Sequence, residues 1–380
     1  ERSLGVAVPD APAYASNRAG LKPFGYGIYR GSDPQKRLEA ELGEQLIAVR
    51  RAQISGQSDP RLVYQAAAQG AGISAPDDGG FLLGEQVSDA ILLRVTSGAL
   101  LSRVRRQTMG AGLSAIKLNL VDESSRATGS RFGGVQGYWV DEGTAPSASR
   151  PKFYRQAWEP HKLACLGYAS DELLADARLI GGIMFDAFSE EVRWLAENAI
   201  LRGTGAGQPQ GILNAAATIS VSKETGQAAA TIVYQNVVKM LARLYPGALS
   251  GAVWLHNIDI LPQLMQMNLS VGTGGVPVWM PPTGAAAGPL GTLFGLPLVP
   301  VEYASTLGTV GDLMLVNLGE YFFLDRGAPE QATSMHVAFT TDETAFRLTW
   351  RVDGHPLWRT ALTPANGSTL SPFISLATRS

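Results

Sequence analysis

The chain has 380 residues, 45% hydrophobic and 17% charged, a balance that excludes global disorder because enough apolar surface can be buried to offset the entropy of ordering. A formal net charge of -2 excludes a surface that is cationic throughout, so any contact with nucleic acid must be local. A single cysteine, Cys165, excludes an internal disulfide and a cysteine metal cluster, and the length predicts two linked domains.

Residues 1–80 read as an arm. Pro9, Pro12, Pro23 and Gly25-Tyr26-Gly27 favour extended chain, interrupted by one short helix in which Leu38, Leu42, Leu46 and Ile47 recur at helical spacing. Ser32 or Asp33 ahead of Pro34 supplies its cap. With so little core of its own, the arm is expected to gain order by lying on something else. The first residue is Glu1 and not Met; a missing front section would account for this, and proteolytic processing is the preferred reading.

Between Ala90 and Val121 stand Arg94, Arg103, Arg105, Arg106 and Lys117 with no acidic residue among them. They suit a local DNA-facing patch. The competing reading is that they pair with carboxylates of a neighbouring subunit or simply solvate one face.

The alternation of Ile116-Lys117-Leu118-Asn119-Leu120 predicts a strand. Its return strand is expected within 152–166, where Phe153, Tyr154, Trp158, Leu163 and Cys165 favour extended chain. Between the two lie Gly129, Gly133, Gly134, Gly137 and Gly143. A two-stranded ribbon with such a tip is not stable alone in water and is expected to rest on a partner. Cys165, in an alternating stretch, reads as a small buried hydrophobe and not as a nucleophile.

Leu179 to Arg202 predicts the clearest helix, with an apolar stripe of Ile180, Ile183, Met184, Ala187, Phe188, Val192, Leu195, Ala196 and Ala199. Gly203 ends it, and Arg193 and Glu197, one turn apart, are expected on its exposed side. A second helix is predicted over 234–245, with Val237, Val238, Leu241 and Leu244 inward. Short strands follow at 253–256, 298–301, 313–316, 321–324, 335–339 and 345–352. Helices and strands interleave without a regular β-α repeat, so the expected fold class is α+β. Ile260 to Val301 carries no charge, but its prolines, among them Pro262, Pro277, Pro281 and Pro289, rule out a membrane span and predict extended loops packed on protein.

Catalytic patterns are missing. His161, His256, His336 and His355 have no partner at metal-ligand spacing, and neither a P-loop nor a nucleophile elbow occurs. Gly203-Thr204-Gly205-Ala206-Gly207-Gln208-Pro209-Gln210-Gly211 imitates a dinucleotide fingerprint, but Gln208 and Gln210 stand where its third glycine belongs and the segment follows a helix instead of a strand. The paired acids Asp171-Glu172 and Glu190-Glu191 read as solvated faces. No catalytic residue, cofactor or metal is expected, and the chain is read as a structural protein.

The order of arm, long hairpin, spine-like helix, glycine loop and α+β domain resembles the tailed-phage major capsid protein family, the Hong Kong 97 fold. The resemblance rests chiefly on Asn198-Ala199-Ile200-Leu201-Arg202-Gly203-Thr204-Gly205 running into Gln208-Pro209-Gln210-Gly211-Ile212-Leu213. Gly79-Gly80-Phe81-Leu82-Leu83, Trp139-Val140-Asp141-Glu142-Gly143, Ser170-Asp171-Glu172-Leu173-Leu174 and Gly295-Leu296-Pro297-Leu298-Val299 support it, so that it covers about residues 79–365.

That resemblance implies four regions. They are the arm 1–80; a first part of a peripheral domain, 81–224, with the extended loop 115–168 and the spine helix 179–203; an axial domain, 225–330; and 331–380, the last peripheral strands with a C-terminal tail. It further implies self-assembly into pentamers and hexamers as an icosahedral shell in the virion, put together in the host cytoplasm. The implied partners are packaged double-stranded DNA, a portal, a maturation protease or scaffold, and in some shells a decoration protein, without a membrane. Trp139, Asp141, Glu142, Arg150, Lys152 and Arg155 are expected to contact neighbouring subunits, and Glu142→Lys is expected to impair shell formation without unfolding the subunit. A covalent crosslink is not expected: the tip Asp141-Glu142-Gly143-Thr144-Ala145-Pro146 has no lysine, and Phe346 and Asp353 stand where the family's acceptor and catalyst would. Two other readings stay open, an encapsulin-type shell holding an enzyme, against which the long arm argues, and an α+β enzyme with an unfamiliar site.

Overall fold

The computed structural model describes residues 91–92, 94–110, 113–170, 177–269, 276–277, 291–338 and 343–380. The arm expected over 1–80 with its helix, the Gly79 to Leu83 motif and the Asp171-Glu172 pair lie outside them. The chain divides into two compact units, one of Glu1–Ala90, Leu166–Ala187 and Glu330–Arg347, the other of Ile91–Cys165, Phe188–Pro329 and Leu348–Ser380. Helices and strands are mixed in the α+β manner.

The larger unit is built around a six-stranded mixed sheet. Its order is Ile219–Val221, Phe373–Leu376, Leu313–Asn317, Ala252–His256, Leu296–Pro300 and Thr292–Leu293. The two middle strands, Ala-Val-Trp-Leu-His and Leu-Met-Leu-Val-Asn, are apolar without alternation and every residue in them is buried, as a strand covered on both faces requires. Helix Tyr234–Ala242 packs against this sheet through Val237 and Met240, and Leu244 just beyond its end continues the same face. Trp254 lies in the centre, fully buried, with its indole N–H donating to the Leu293 carbonyl at 3.0 Å. Each such side chain contributes roughly 1.5–3 kcal/mol by leaving water.

A second sheet in this unit places Arg105–Thr108 parallel to Tyr321–Asp325, which pairs antiparallel with residues 352–356. Tyr321 to Leu324 are buried, and the Tyr321 hydroxyl donates to the Gln210 carbonyl at 2.9 Å. The C-terminal residues are held by a fully buried ion pair between Arg379 and Asp312; Arg379 Nε also donates to the Thr231 carbonyl at 2.6 Å. In the smaller unit, strand Glu330–Ala338 lies beside the strand that begins at Glu343.

The long helix spans Ala177–Arg202. In its part within the larger unit, Val192, Ala196 and Ile200 repeat every four residues and are fully buried. One sequence expectation is corrected here. Glu197 is not on the exposed side: it is only 3% exposed, and Arg193 pairs with Glu190 instead. The Glu197 carboxylate accepts the backbone N–H of Leu100 at 2.7 Å and of Leu101 at 3.0 Å, and also the Tyr303 hydroxyl. Burial and then this contact push the Tyr303 phenol far above its ordinary value.

The glycine run after the helix is its C-terminal closure. Gly203 N donates to Ala199 O at 2.9 Å, Gly211 N returns to Gly203 O at 2.8 Å, and Asn214 Nδ2 donates to both Arg202 O and Gly203 O. A Cβ on Gly203 would lie 2.0 Å from the Pro209 carbonyl oxygen, so the spacing serves close backbone approach.

Candidate functional site

Among the described residues, the hairpin built on Ile116–Val121 and Phe153–Trp158 carries a cluster of charged and aromatic side chains without partners. The strands are antiparallel, with Ile116 opposite Trp158 and Val121 opposite Phe153. Alternation turns Ile116, Leu118 and Leu120 inward, where with fully buried Trp158 they cover Met109, Phe322 and Leu324. Trp158 meets Phe322 edge-on at 5.0 Å. The return predicted over 152–166 is two strands: Glu159-Pro160 interrupts it, since proline cannot donate to a ladder, and His161–Ser170 is a separate strand.

The base of the hairpin is fixed to the body of its own unit. Arg126 N donates to Thr363 O at 2.7 Å, Thr363 N to Ser124 O at 2.9 Å, and the Tyr154 hydroxyl to Leu357 O at 2.7 Å. A shallow cleft opens there between Tyr154, Tyr245, Trp358 and two arginines. Both arginines are engaged: Arg126 pairs with Glu123 at 2.6 Å and lies 5.5 Å over the Tyr245 ring, while Arg359 lies 3.4 Å from Asp122 and 5.8 Å over Tyr154.

Further out, among the described residues, the loop is held by contacts within itself. Arg131 and Val135 form a bridge, Lys152 N donates to Gly133 O at 3.2 Å, and Gln136 N donates to Ser149 Oγ at 3.1 Å. A Cβ at Gly133 would lie 2.6 Å from the Lys152 carbonyl oxygen, so only glycine fits. Beside it Phe132 has φ 54° and is 60% exposed, a left-handed conformation that a bulky side chain adopts at a cost of about 1–2 kcal/mol. Residues 137–150 are all exposed.

Of the side chains expected at subunit contacts, Trp139, Asp141, Glu142 and Arg150 lie in this exposed tip, with Lys152 and Arg155 on the stem just behind it. Trp139 is fully exposed. Asp141, Glu142, Arg150, Lys152 and Arg155 make no ion pair with the described residues. Sequence reasoning missed Phe132, Tyr138 and Val140, which are also exposed on the loop. The signal that marks Phe132 is its place before Gly133-Gly134, where a tight turn thrusts it outward.

The four arginines of the proposed basic patch are not equivalent. Arg103 and Arg105 are exposed, and Arg94 is half-buried with contacts of its own. Arg106 points to the opposite face of its strand from Arg105 and pairs at 2.5 Å with the fully buried Asp325 of the same chain. Cys165 is buried, and burial raises its thiol pKa. His355 Nδ1 lies 3.0 Å from Gln210 Oε1, and burial lowers the pKa of His256. Among the described residues no group of histidines, cysteines and carboxylates could hold a metal, and no helix is long and apolar enough to cross a membrane.

Comparison with known proteins gives a consistent result. A model of the "Phage capsid family" matches residues 79–367. The "Capsid polyprotein" of Pseudomonas phage PAJU2 is 27% identical over 214 residues, which are 55% of this chain and 31% of that protein; the chain thus spans about a third of that relative. Among solved structures, the capsid of a native GTA particle superposes with a TM-score of 0.58 at 17% identity, over 74% of this chain and 90% of that one. A protein of Microbacterium phage Oxtober96 gives 0.52 at 14% identity, over 84% and 99%. At these identities the two superpositions establish a shared fold.

Proposed function

The chain belongs to the phage capsid family, and on that premise we propose that copies of it associate without covalent links into pentamers and hexamers that close a shell around double-stranded DNA. The observation that carries this reading is the hairpin loop. Its base is locked to the body, yet residues 137–150 are wholly exposed, including Trp139, and bury nothing in their own chain. A segment that leaves an indole and several unpaired charges in water gains stability when another copy covers it. In this reading Trp139, Asp141, Glu142, Arg150, Lys152 and Arg155 contact neighbouring copies.

The non-covalent part follows from side-chain chemistry. The tip has no lysine to act as a nucleophile, and Asp353, at the position of the family's catalyst, is buried with its carboxylate accepting the N–H of Glu159 and of Gly354, each at 2.7 Å. Exposed Arg103 and Arg105 are the DNA-facing candidates that remain, because Asp325 already neutralises Arg106. A portal, a maturation protease or scaffold, decoration proteins, and assembly in the host cytoplasm belong to the same reading.

The test is electron microscopy of the purified protein, followed by a denaturing gel and analysis of the contents. Closed shells that contain DNA and dissolve into single chains in detergent are expected. Particles that stay dispersed under assembly conditions, or a ladder of linked subunits on the gel, would contradict the proposal.

A further inference from the structure

We propose that the acidic tip of the loop in one copy, Asp141 and Glu142, seats on the basic stem of the same loop in the next copy, Lys117, Lys152 and Arg155. The inference rests on the reading that this loop lies between copies, and it names the surface that receives it.

The carboxylates at the base of the hairpin are satisfied within the chain, Asp122 by Arg359 and Glu123 by Arg126. The stem cations make no ion pair with the described residues, and neither do the two acids at the tip. Glu159, the next carboxylate along the strand, lies past the Ile116–Trp158 pair at the opposite end of the stem.

Register groups Lys117 and Arg155 on one side. Arg155 stands opposite Asn119 and Lys117 opposite Ala157, so Lys117 and Arg155 share the exposed face as diagonal neighbours, roughly 7–8 Å apart. Phe153, 59% exposed, alternates onto the same face and offers an apolar flank for Trp139 of an incoming tip. Arg155 there presents a planar fork matched to a carboxylate.

Reach separates the two signs within one chain. The last tie across the loop joins Gln136 to Ser149. Extended chain rising about 3.3 Å per residue carries Asp141 up to roughly 17 Å beyond that tie. To meet its own stem the tip would have to double back, and the structure instead leaves both acids exposed. A tip and a stem are different surfaces, so their contact is head to tail, the type that closes rings of identical subunits.

The test is charge reversal in the full chain. The tip variant carries Asp141→Lys and Glu142→Lys, and the stem variant Lys152→Glu and Arg155→Glu. All four positions are exposed, so thermal denaturation of the dispersed subunit should match wild type in both variants. Each variant alone is expected to lower shell yield at fixed concentration by about tenfold or more, because like charges then face each other. The chain carrying all four reversals is expected to recover. An equimolar mixture of the two defective variants should co-associate, because each supplies the sign the other lacks and the pairing runs between chains. Raising salt from about 0.1 M to about 1 M shortens screening from ~10 Å to ~3 Å and should narrow the difference between wild type and variants.

If both variants fail and neither the four-fold chain nor the mixture recovers, the tip does not meet the stem and this inference is overturned, while the loop's role between copies stands. A loss in only one variant overturns it equally. If neither variant loses yield, the broader reading of the loop falls as well.

Discussion

Glu197 offers a sharp energetic test of how the helix is built into its unit. It is a charged residue at 3% exposure whose carboxylate accepts two backbone N–H groups, from Leu100 at 2.7 Å and Leu101 at 3.0 Å, and a phenol from Tyr303. Leu100 and Leu101 are buried, so water does not readily replace the acceptor. The site also dictates Gly98, where a Cβ would lie 2.3 Å from the carboxylate oxygen. In Glu197→Ala two buried N–H donors and one partly buried phenol lose their partner at about 1–3 kcal/mol each, and partial relaxation leaves a net loss of about 3–5 kcal/mol. Glu197→Gln keeps the volume and an acceptor but removes the charge, for a loss of about 1–2 kcal/mol. Tyr303→Phe removes one donor and should cost about 1 kcal/mol. Urea denaturation of the dispersed subunit reads these as shifts in midpoint at constant slope. An alanine variant within about 1 kcal/mol of wild type would refute the reasoning.

Alkaline stability is predicted from the buried phenols. Burial, then Glu197, raises Tyr303 above its ordinary 10.0, and burial raises Tyr321 likewise. The unfolded chain therefore ionises first: stability is intact below about pH 10 and falls above it, by up to ~1.4 kcal/mol per pH unit for the fully buried Tyr321 and by less for the partly exposed Tyr303, a slope that Tyr303→Phe and Tyr321→Phe should reduce in denaturation series. Arg379→Met leaves the Asp312 carboxylate buried without its cation and should cost about 3–5 kcal/mol in the same assay; a loss under about 1 kcal/mol would contradict that view of the pair. Phe132→Gly relieves a left-handed backbone while deleting an exposed ring. It should raise the melting temperature of the dispersed subunit slightly and lower shell yield, and an unchanged yield would remove Phe132 from the contact surface.

The sequence patterns that proved most readable were those set by neighbours along the chain. The uninterrupted apolar runs at 313–317 and 252–256 became central strands, and the alternation from Ile116 to Leu120 became the stem, because burial on two faces or on one leaves that imprint. Gly203 was legible as a helix end, which kept the following glycines from being taken for a nucleotide site. Glu197 was not legible. Its partners come from residues 100, 101 and 303, and a spacing rule that sees Arg193 one turn away has no access to them. The break at Glu159-Pro160 has only its proline as a signal, which strand-forming residues resuming at once beyond it obscure. The loop was readable as a segment too poor in apolar residues to fold alone. That Asp122 is paired depends on Arg359, and the anchoring of the base on Thr363 and Leu357, all of which reach it from far along the chain.

The central claim, that the hairpin loop acquires its cover from other copies, is tested most directly by amide hydrogen exchange over residues 122–152 in dispersed subunits and in assembled shells. The account predicts fast exchange at the tip, around residues 137–148, in the dispersed subunit and slowing by about a hundredfold or more in the shell. Equal exchange rates in the two states would contradict it.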